Sequence, residues 1–521
     1  MSLTGIRICL LISISGTLPV DAAEPAIKVS KHTTRFTAPV NDDGSVDFAE
    51  AVNLHFEGDL KPDENSAVVL YSILGPEPDG IRLSDEFFER LGMLVPADDG
   101  EYFQGLGGWL KTENGGNAVS ERYYELDRIA HSAPWQKEDA PEVAQWLDAM
   151  KPQLERLNAA VQCPGYFLPL IRSLDEDENE GLLISILFPG VYASRSLARA
   201  LVRRANLAMG EERFSDARDD LILCMKLGRH VGQGAMLVER LVGIAAEVTA
   251  KQAMLKWIEL AKPDRAAVQE IRRELEGMLP LPDMAESVAV GERAAFLDVA
   301  SSLAFQRSNV RELLLIDGDE VTIQNVQLAA GFAIDWNLAL RQGNAWYDRM
   351  AAAMRQPTRP LRQSASGQIE AELRKLAGEI SDPKKWVQAL VPGRAKKTIT
   401  EQMSSALIAL LLPAVSAAGT AADRCAQSHA NLDLALALSA FHKENSEYPE
   451  KLEQLVPKFI NKVPADLFVR GALKYQRTVD GYLVYSQGPN TTDDKGRWYD
   501  DDPAGDDISI RMPVPSPKDD E

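Results

Sequence analysis

A series of amphipathic helical patterns joined by short connections constrains the fold of this chain more than any other feature. After the segment GVYASRS, Leu197, Leu201, Ala205 and Ala208 recur at the spacing of one helical face. The tight connection MGEERF follows, and the next two segments repeat this spacing. Helices joined by such short links pack antiparallel against each other. The pattern predicts a helical bundle or a repeat-like stack over residues 136–400.

The region before this helical body, residues 23–135, has a mixed and turn-rich pattern. VDFAEAVNLHF indicates a short helix, whereas NSAVVLYSIL fits a buried strand or a helix segment equally well. NDDGSVDFAE places several oxygen-bearing side chains at the spacing of a calcium loop, but the first loop position would be Pro39, which has no ligand oxygen in its side chain. We therefore expect a mixed α/β region in which this segment is a turn that caps a helix.

The last region, residues 401–521, begins with the apolar run SSALIALLLPAVSAAGTAADR. Its uninterrupted apolar part is short and contains Pro413, so a kinked core helix is favoured over a membrane span. The following segment LDLALAL alternates leucines without any β-branched residue, which predicts that the helix continues to about Lys443. We expect no transmembrane span in the mature chain.

Strand signals appear only after this helix. ALKYQRTV and YLVYS flank the dipeptide Asp480-Gly481, the strongest short hairpin signal in the chain. DISIRMP follows and can return as a further strand. The predicted fold class is therefore α+β and predominantly α, with a helical body followed by a helix packed on a small antiparallel sheet.

An acidic loop separates the predicted hairpin from the last strand. Seven aspartates lie in YSQGPNTTDDKGRWYDDDPAGDDISI, residues 485–510. Because like charges at this density repel each other, either water screens them or a cation binds them. Sequence reasoning alone leaves both alternatives open.

The order of segments in the last fifth of the chain carries a family resemblance. LIALLLPAVSAAGTAADRCAQ, then FHKENSEYPEKLEQLVPKFINKVPADLF, then LKYQRTVDGYLVYSQGPN and GDDI together resemble the major pseudopilin of type II secretion systems and related pilin-like proteins. The resemblance implies a helix packed on an antiparallel sheet, with a calcium loop closing the head. Carried over by position, the implied calcium ligands are Asn490, Asp506 and Asp507, with Asp493 or Asp494 as further candidates.

Departures from the pseudopilin pattern indicate that this head has been reused in another kind of protein. No leader-processing motif precedes the helix, Leu467 stands where the family usually has proline, and Asn490 replaces an expected aspartate. These differences argue against a filament subunit. The rest of the chain is similar to secreted bacterial proteins with DENSAVVLYSILGP-like segments, a similarity that brings no activity with it.

The first residues and the overall charge predict where the protein works. MSLTGIRICLLISISGTLPVDAAEP has the positive, apolar and small-residue regions of a secretory signal, so residues 1–22 are predicted to be removed before Ala23. We therefore expect a periplasmic or secreted protein. Its formal net charge of -21 disfavours nucleic acid and anionic membranes as partners. Divalent cations and protein partners in the cell envelope are the expected counterparts.

Catalytic motifs are absent from the sequence. It contains no GxSxG, no HExxH and no Gly-rich phosphate loop, and its six histidines share no metal spacing. Glu239, Glu292 and Asp298 lie in helical patterns and could meet in a cleft as an acid–base pair. The sequence thus favours a non-catalytic protein that acts in structure or protein binding at the cell envelope; the alternative is a secreted, hydrolase-like enzyme that uses these carboxylates.

Overall fold

The chain folds into a predominantly helical α+β structure, which confirms the predicted fold class. The computed structural model describes residues 27–114, 119–172, 181–186, 189–305, 334–380, 395–411 and 415–515. The predicted signal segment, 1–22, lies outside these residues. The α-helices over the described ranges are α1 (Phe48–Glu57), α2 (Ser66–Leu74), α3 (Asp85–Arg90), α4 (Leu106–Asn114), α5 (Val119–Ser132), α6 (Pro141–Ala149), α7 (Lys151–Ala160), α8 (Pro189–Gly210), α9 (Phe214–Val231), α10 (Leu237–Ala261), α11 (Arg265–Glu276), α12 (Met284–Ser287), α13 (Arg293–Ala304), α14 (Trp336–Met354), α15 (Arg359–Ile380), α16 (Ala395–Leu411) and α17 (Val415–Asn445).

Local capping explains why two ambiguous segments of the N-terminal region are helical. NSAVVLYSIL forms α2 because the Asn65 side chain accepts a hydrogen bond from Ala67 N, and Gly75 ends the helix with a positive φ. The segment NDDGSVDFAE is a turn followed by α1, whose first turn is capped by Asp47 through Glu50 N at 3.1 Å. The predicted helix-capping turn is therefore present here.

The body is built around the antiparallel helices α8, α9 and α10. Helices α9 and α10 cross closely at two glycines: a Cβ atom on Gly243 would lie 2.3 Å from Gly228 O, and one on Gly228 would lie 2.6 Å from Gly243 O. Only glycine permits this approach of two backbones. The short connections seen in the sequence thus produce a helical stack, as predicted.

A three-stranded antiparallel sheet closes the C-terminal region. It consists of β1 (Lys474–Arg477), β2 (Tyr482–Ser486) and β3 (Ile508–Met512), in the order β1-β2-β3. The predicted Asp-Gly hairpin joins β1 to β2, with Arg477 opposite Tyr482. The acidic loop joins β2 to β3, and its two ends are adjacent because Ser486 pairs with Ile508.

Two hydrophobic cores share two long helices. The first core contains residues of the helices from α2 through α11, of the sheet and of the second half of α17. The second joins α1, α13, α14, α16 and the first half of α17. Because α10 and α17 contribute to both cores, they tie the helical body to the C-terminal region. The predicted boundary near residue 401 stays a prediction.

Buried charges also tie α17 to α10. Glu247 accepts hydrogen bonds from Arg229 at 2.5 and 2.8 Å, and its carboxylate lies 2.6 Å from Lys251 Nζ. Lys251 donates in turn to the carbonyl oxygen of Cys425 on α17 at 3.0 Å. Burial opposes ionisation of Glu247, but these two cations still lower its pKa to about 2. The network thus links α10 to α9 through Arg229 and to α17 through Lys251.

The stretch Lys396–Asn445, of which residues 412–414 lie outside the described part of the chain, is long and apolar enough to cross a membrane. In its most apolar window, 29% of the residues are buried inside the protein. The core helix of a soluble protein meets the same criteria of length and composition. The expectation of no transmembrane span in the mature chain therefore stays a prediction, and Pro413, the predicted kink, lies outside the described residues.

Candidate metal centre

The acidic loop is held in shape at both of its ends. Gly488, just after β2, has a φ of +62°, and a Cβ atom there would lie 2.2 Å from Asp506 O. Next to it, the buried carboxylate of Asp466 accepts hydrogen bonds from Gln487 N and Ser486 Oγ, both at 2.8 Å. The loop therefore folds back on itself, and its beginning lies against its end.

Three aspartates from the two arms of the loop converge. One carboxylate oxygen each from Asp494, Asp506 and Asp507 lies within 4.8 Å of the others. This spacing suits a single cation held by oxygen ligands. These are three of the five residues that the pseudopilin resemblance implies.

Backbone amides orient the three carboxylates. Asp494 Oδ2 accepts from Asp506 N at 3.1 Å, and Asp506 Oδ2 accepts from Asn490 N at 2.9 Å. Asp507 Oδ2 accepts from Gly496 N at 2.7 Å. Each of these hydrogen bonds joins the first half of the loop, residues 487–496, to its second half, residues 497–507.

Two carboxylate oxygens of this cluster lack a hydrogen-bond partner. They are Oδ1 of Asp506 and Oδ1 of Asp507, counted over the described part of the chain. Asp507 is 0% exposed, so water does not solvate its side chain. A buried carboxylate oxygen without a partner is energetically unfavourable unless a proton or a cation reaches it.

The electrostatics of the loop reflect this arrangement. Burial raises the pKa of Asp507 to about 6, and it also raises the pKa of Asp506. The side-chain hydrogen bond from Asn490 instead lowers the pKa of Asp494. The cluster thus contains one readily ionised carboxylate beside two that resist ionisation, and a cation bound between them would favour the ionised form of all three.

The other two implied ligands lie differently. Asn490 borders the cluster, but its Nδ2 donates to Asp494 at 3.1 Å, and its Oδ1 accepts from Thr492 N at 2.6 Å. Asp493 accepts from Tyr485 OH and Lys495 N, both at 3.0 Å. The structure therefore places Asn490 at the edge of the cluster and Asp493 outside it.

The remaining aspartates of the loop do not all crowd together. Asp501 forms an ion pair with Arg511 on β3 and accepts from Trp498 N at 2.9 Å. Asp502 is exposed. Arg511 therefore neutralises one of the loop's aspartates that lies outside the cluster.

The carboxylates suggested for an acid–base pair occupy two separate places in the helical body. Glu239 and Glu292 accept hydrogen bonds from the adjacent amides of Met236 and Leu237, both at 2.9 Å, at the first turn of α10. Asp298 is buried in an ion pair with Arg172 at 2.8 Å and also accepts from Leu183 N. The structure thus brings Glu239 and Glu292 together and leaves Asp298 in a different contact.

Sequence reasoning missed the residues that support the candidate metal centre. Asp466 holds the start of the loop, Arg511 contacts its middle through Asp501 and Gly496, and Arg359 approaches it from α15. The ADLF turn was the one signal for Asp466, because its side chain caps the turn through Phe468 N at 2.8 Å.

Comparison of the chain with protein-family models, curated proteins and solved structures finds no match.

Proposed function

We propose that this is an exported, non-catalytic protein whose C-terminal loop binds calcium, and that it acts in structure or protein binding at the cell envelope. The observation that supports the calcium site is the fully buried Asp507, which lies next to Asp494 and Asp506. Its Oδ1 has no hydrogen-bond partner among the described residues. The donors are all oxygens, which favours a hard cation over zinc or copper.

Calcium suits this site better than magnesium. Calcium takes six to eight oxygen ligands in a flexible geometry, whereas magnesium demands a tight octahedron and keeps its waters. Three carboxylates from a loop would supply part of such a shell, and loop carbonyls and water would supply the rest. Extracellular-type sites bind calcium at roughly 0.1–1 mM, which suits a periplasmic or secreted protein.

The pseudopilin resemblance supports the same proposal from a second direction. The α17 helix packs against β2 and β3, the hairpin and the returning strand follow in the implied order, and the acidic loop joins the last two strands. A structural or protein-binding role agrees with this arrangement of the C-terminal region.

Calorimetric titration of the full chain with calcium and with magnesium tests the calcium site. We expect one calcium per chain, weaker binding of magnesium, and no binding by the Asp506→Asn/Asp507→Asn double variant. Asp502→Asn removes the same kind of charge from an exposed position of the same loop and serves as the control, with near-normal binding expected. Undetectable calcium binding by the unmodified chain at 5 mM free calcium would exclude the proposal.

The envelope role is tested by cell fractionation followed by cross-linking in calcium and in chelator. We expect the protein in the periplasmic or extracellular fraction, with a reproducible cross-linked protein partner that is lost in the Asp506→Asn/Asp507→Asn variant. A purely cytosolic protein would contradict this part of the proposal.

A second candidate is a hydrolase-like enzyme in the helical body, and Glu239 is the observation that favours it. Its carboxylate is 0% exposed, and burial raises its pKa to about 7, while burial also raises the pKa of Glu292. A carboxyl group poised near neutral pH suits general acid–base work. Both residues also cap α10, which accounts for their positions without catalysis. Hydrolysis of chromogenic esters, phosphates or glycosides, lost in a stably folded Glu239→Gln variant, would establish this candidate instead.

A further inference from the structure

Arg359, the first residue of α15, reaches from the helical body to the base of the acidic loop. Its side chain is 5% exposed. The guanidinium carbon lies 4.2 Å from the ring centroid of Phe468, and Nη2 lies 3.5 Å from the carbonyl oxygen of Pro489. The next residue, Asn490, donates its backbone N–H to Asp506 of the metal centre at 2.9 Å. Arg359 and Asp506 therefore contact the carbonyl and the N–H of the same peptide unit.

The charged groups that act on this guanidinium are Asp423, Asp506 and Asp466, together with the like charge of Arg362 on its own helix. Its Nε lies 3.4 Å from Asp423 Oδ2 on α17, and Nη1 donates to Gln363 on its own helix at 2.9 Å. Burial lowers the pKa of Arg359, while the negative charges of Asp423, Asp506 and Asp466 oppose that change. Asp506 in turn experiences the positive charges of both Arg424 and Arg359. The arginine is thus a buried cation inside the electric field of the acidic loop.

We propose that Arg359 is a tethered counter-cation of the metal centre, which stabilises the calcium-free loop and weakens calcium binding by repelling the incoming ion. The proposal rests on the proposed calcium site and names a residue that sets its affinity. A fixed positive charge near a divalent cation disfavours binding through Coulomb repulsion. The same charge offsets the mutual repulsion of Asp506 and its neighbours when calcium is absent.

This role predicts opposite effects of one substitution in the two states. Removing the charge of Arg359 should loosen the loop without calcium and tighten the binding of calcium. A residue that only positioned Pro489 and Asn490 would loosen the loop in both states. The sign of the change in calcium affinity therefore separates a charge effect from a purely structural one.

The experiment compares calcium titrations of the full chain carrying Arg359→Gln, Arg359→Lys and Arg362→Gln. We expect Arg359→Gln to bind calcium roughly threefold to tenfold more tightly at low salt, and Arg359→Lys, which keeps the charge, to change affinity by less than about twofold. Arg362 pairs with the same Asp423, and its other contact is Gln356 O, so it is the matched control, with little change expected. Unchanged or weaker binding by Arg359→Gln overturns the proposal.

A second arm works without calcium and separates this proposal from the calcium site itself. Amide hydrogen exchange at Asn490, measured in chelator, should be faster in Arg359→Gln than in the unmodified chain and nearly normal in Arg359→Lys. Absence of calcium binding by the unmodified chain would refute the proposed function, whereas Arg359 would still be judged by this exchange. Equal exchange in Arg359→Gln and the unmodified chain overturns the counter-cation role whatever calcium does.

Discussion

Replacing Asp507 by asparagine should make the calcium-free protein more stable rather than less. In the folded chain this carboxylate is fully buried, and one of its oxygens lacks a partner among the described residues. Asparagine has nearly the same shape, its amide oxygen can still accept from Gly496 N, and its amide group can donate to a neighbouring carboxylate. The substitution therefore removes a buried negative charge and retains the loop geometry.

The size of the effect follows from the pKa of Asp507, which burial raises from 3.8 to about 6. At neutral pH, each unit by which the folded pKa exceeds the unfolded pKa lowers the free energy of unfolding by about 1.36 kcal/mol. The full difference is therefore on the order of 3 kcal/mol. Because the neighbouring carboxylates of Asp494 and Asp506 are partly exposed and therefore screened by water and salt, we expect about 1–2 kcal/mol. For a cooperative unit of 150–250 residues this is roughly 2–8 °C in melting temperature.

The sign of the pH dependence is fixed by the same shift. An acid whose folded pKa is raised binds its proton more tightly in the folded state, so its contribution to stability is complete below the unfolded pKa of 3.8 and is lost as pH rises through about 6. The stability gained by Asp507→Asn over the unmodified chain should therefore be large at pH 7.5 and small at pH 4.5. With calcium the order reverses, because the ionised carboxylate is then a ligand.

Calorimetric melts of the full chain at the two pH values, in chelator and in 5 mM calcium, measure these differences. Asp502→Asn is the control, since it makes the same chemical change at an exposed position of the loop, and we expect less than about 0.5 kcal/mol from it. A lower melting temperature of Asp507→Asn than of the unmodified chain in chelator at pH 7.5 would refute the reasoning. So would an undiminished calcium-induced shift in that variant.

Three further predictions concern the body and the export of the protein. Gly243→Ala should destabilise it by about 1–3 kcal/mol in urea unfolding, because the new methyl group would meet Gly228 O at 2.3 Å, whereas Gly367→Ala, which meets open space, should be neutral or stabilising. Glu247→Ala should cost about 3–5 kcal/mol in the same assay, since it leaves two buried cations unpaired; a loss below about 1 kcal/mol would show that the network is not an anchor. N-terminal sequencing of the exported protein should begin at Ala23, and an intact Met1 in the cytosol would contradict the predicted cleavage.

Local signals in the sequence predicted the parts of the fold that depend on neighbouring residues. The segment LDLALAL forms a helix despite its strand-like alternation, because it lacks β-branched residues and continues an established helix. The hairpin that Asp480-Gly481 predicts joins β1 to β2, but its connection comprises the four residues 478–481 and not the two-residue turn for which this dipeptide is typical. The resemblance implied Asp506 and Asp507 together with Asn490 and left Asp493 or Asp494 open; the structure brings Asp494 to Asp506 and Asp507.

Long-range contacts could not be predicted in this way. Arg511 neutralises Asp501 across the loop, and Arg359 approaches the same loop from a helix that precedes α17. Neither arginine carries any local pattern that distinguishes it from a solvated surface residue. The position of Asp493 was undetermined for a similar reason, because Tyr485 on β2 draws its carboxylate away from the cluster. Such pairs form between residues that are far apart in the chain, so no local sequence pattern indicates them.

The most direct test of the calcium site is a crystal structure of the full chain grown in 5 mM calcium, with anomalous diffraction recorded at a long wavelength. We predict one anomalous peak among Asp494, Asp506 and Asp507, with oxygen ligands at about 2.3–2.6 Å and Asn490 at the edge of the site. An acidic loop that diffracts well and shows no anomalous peak between these three carboxylates at saturating calcium would contradict the account.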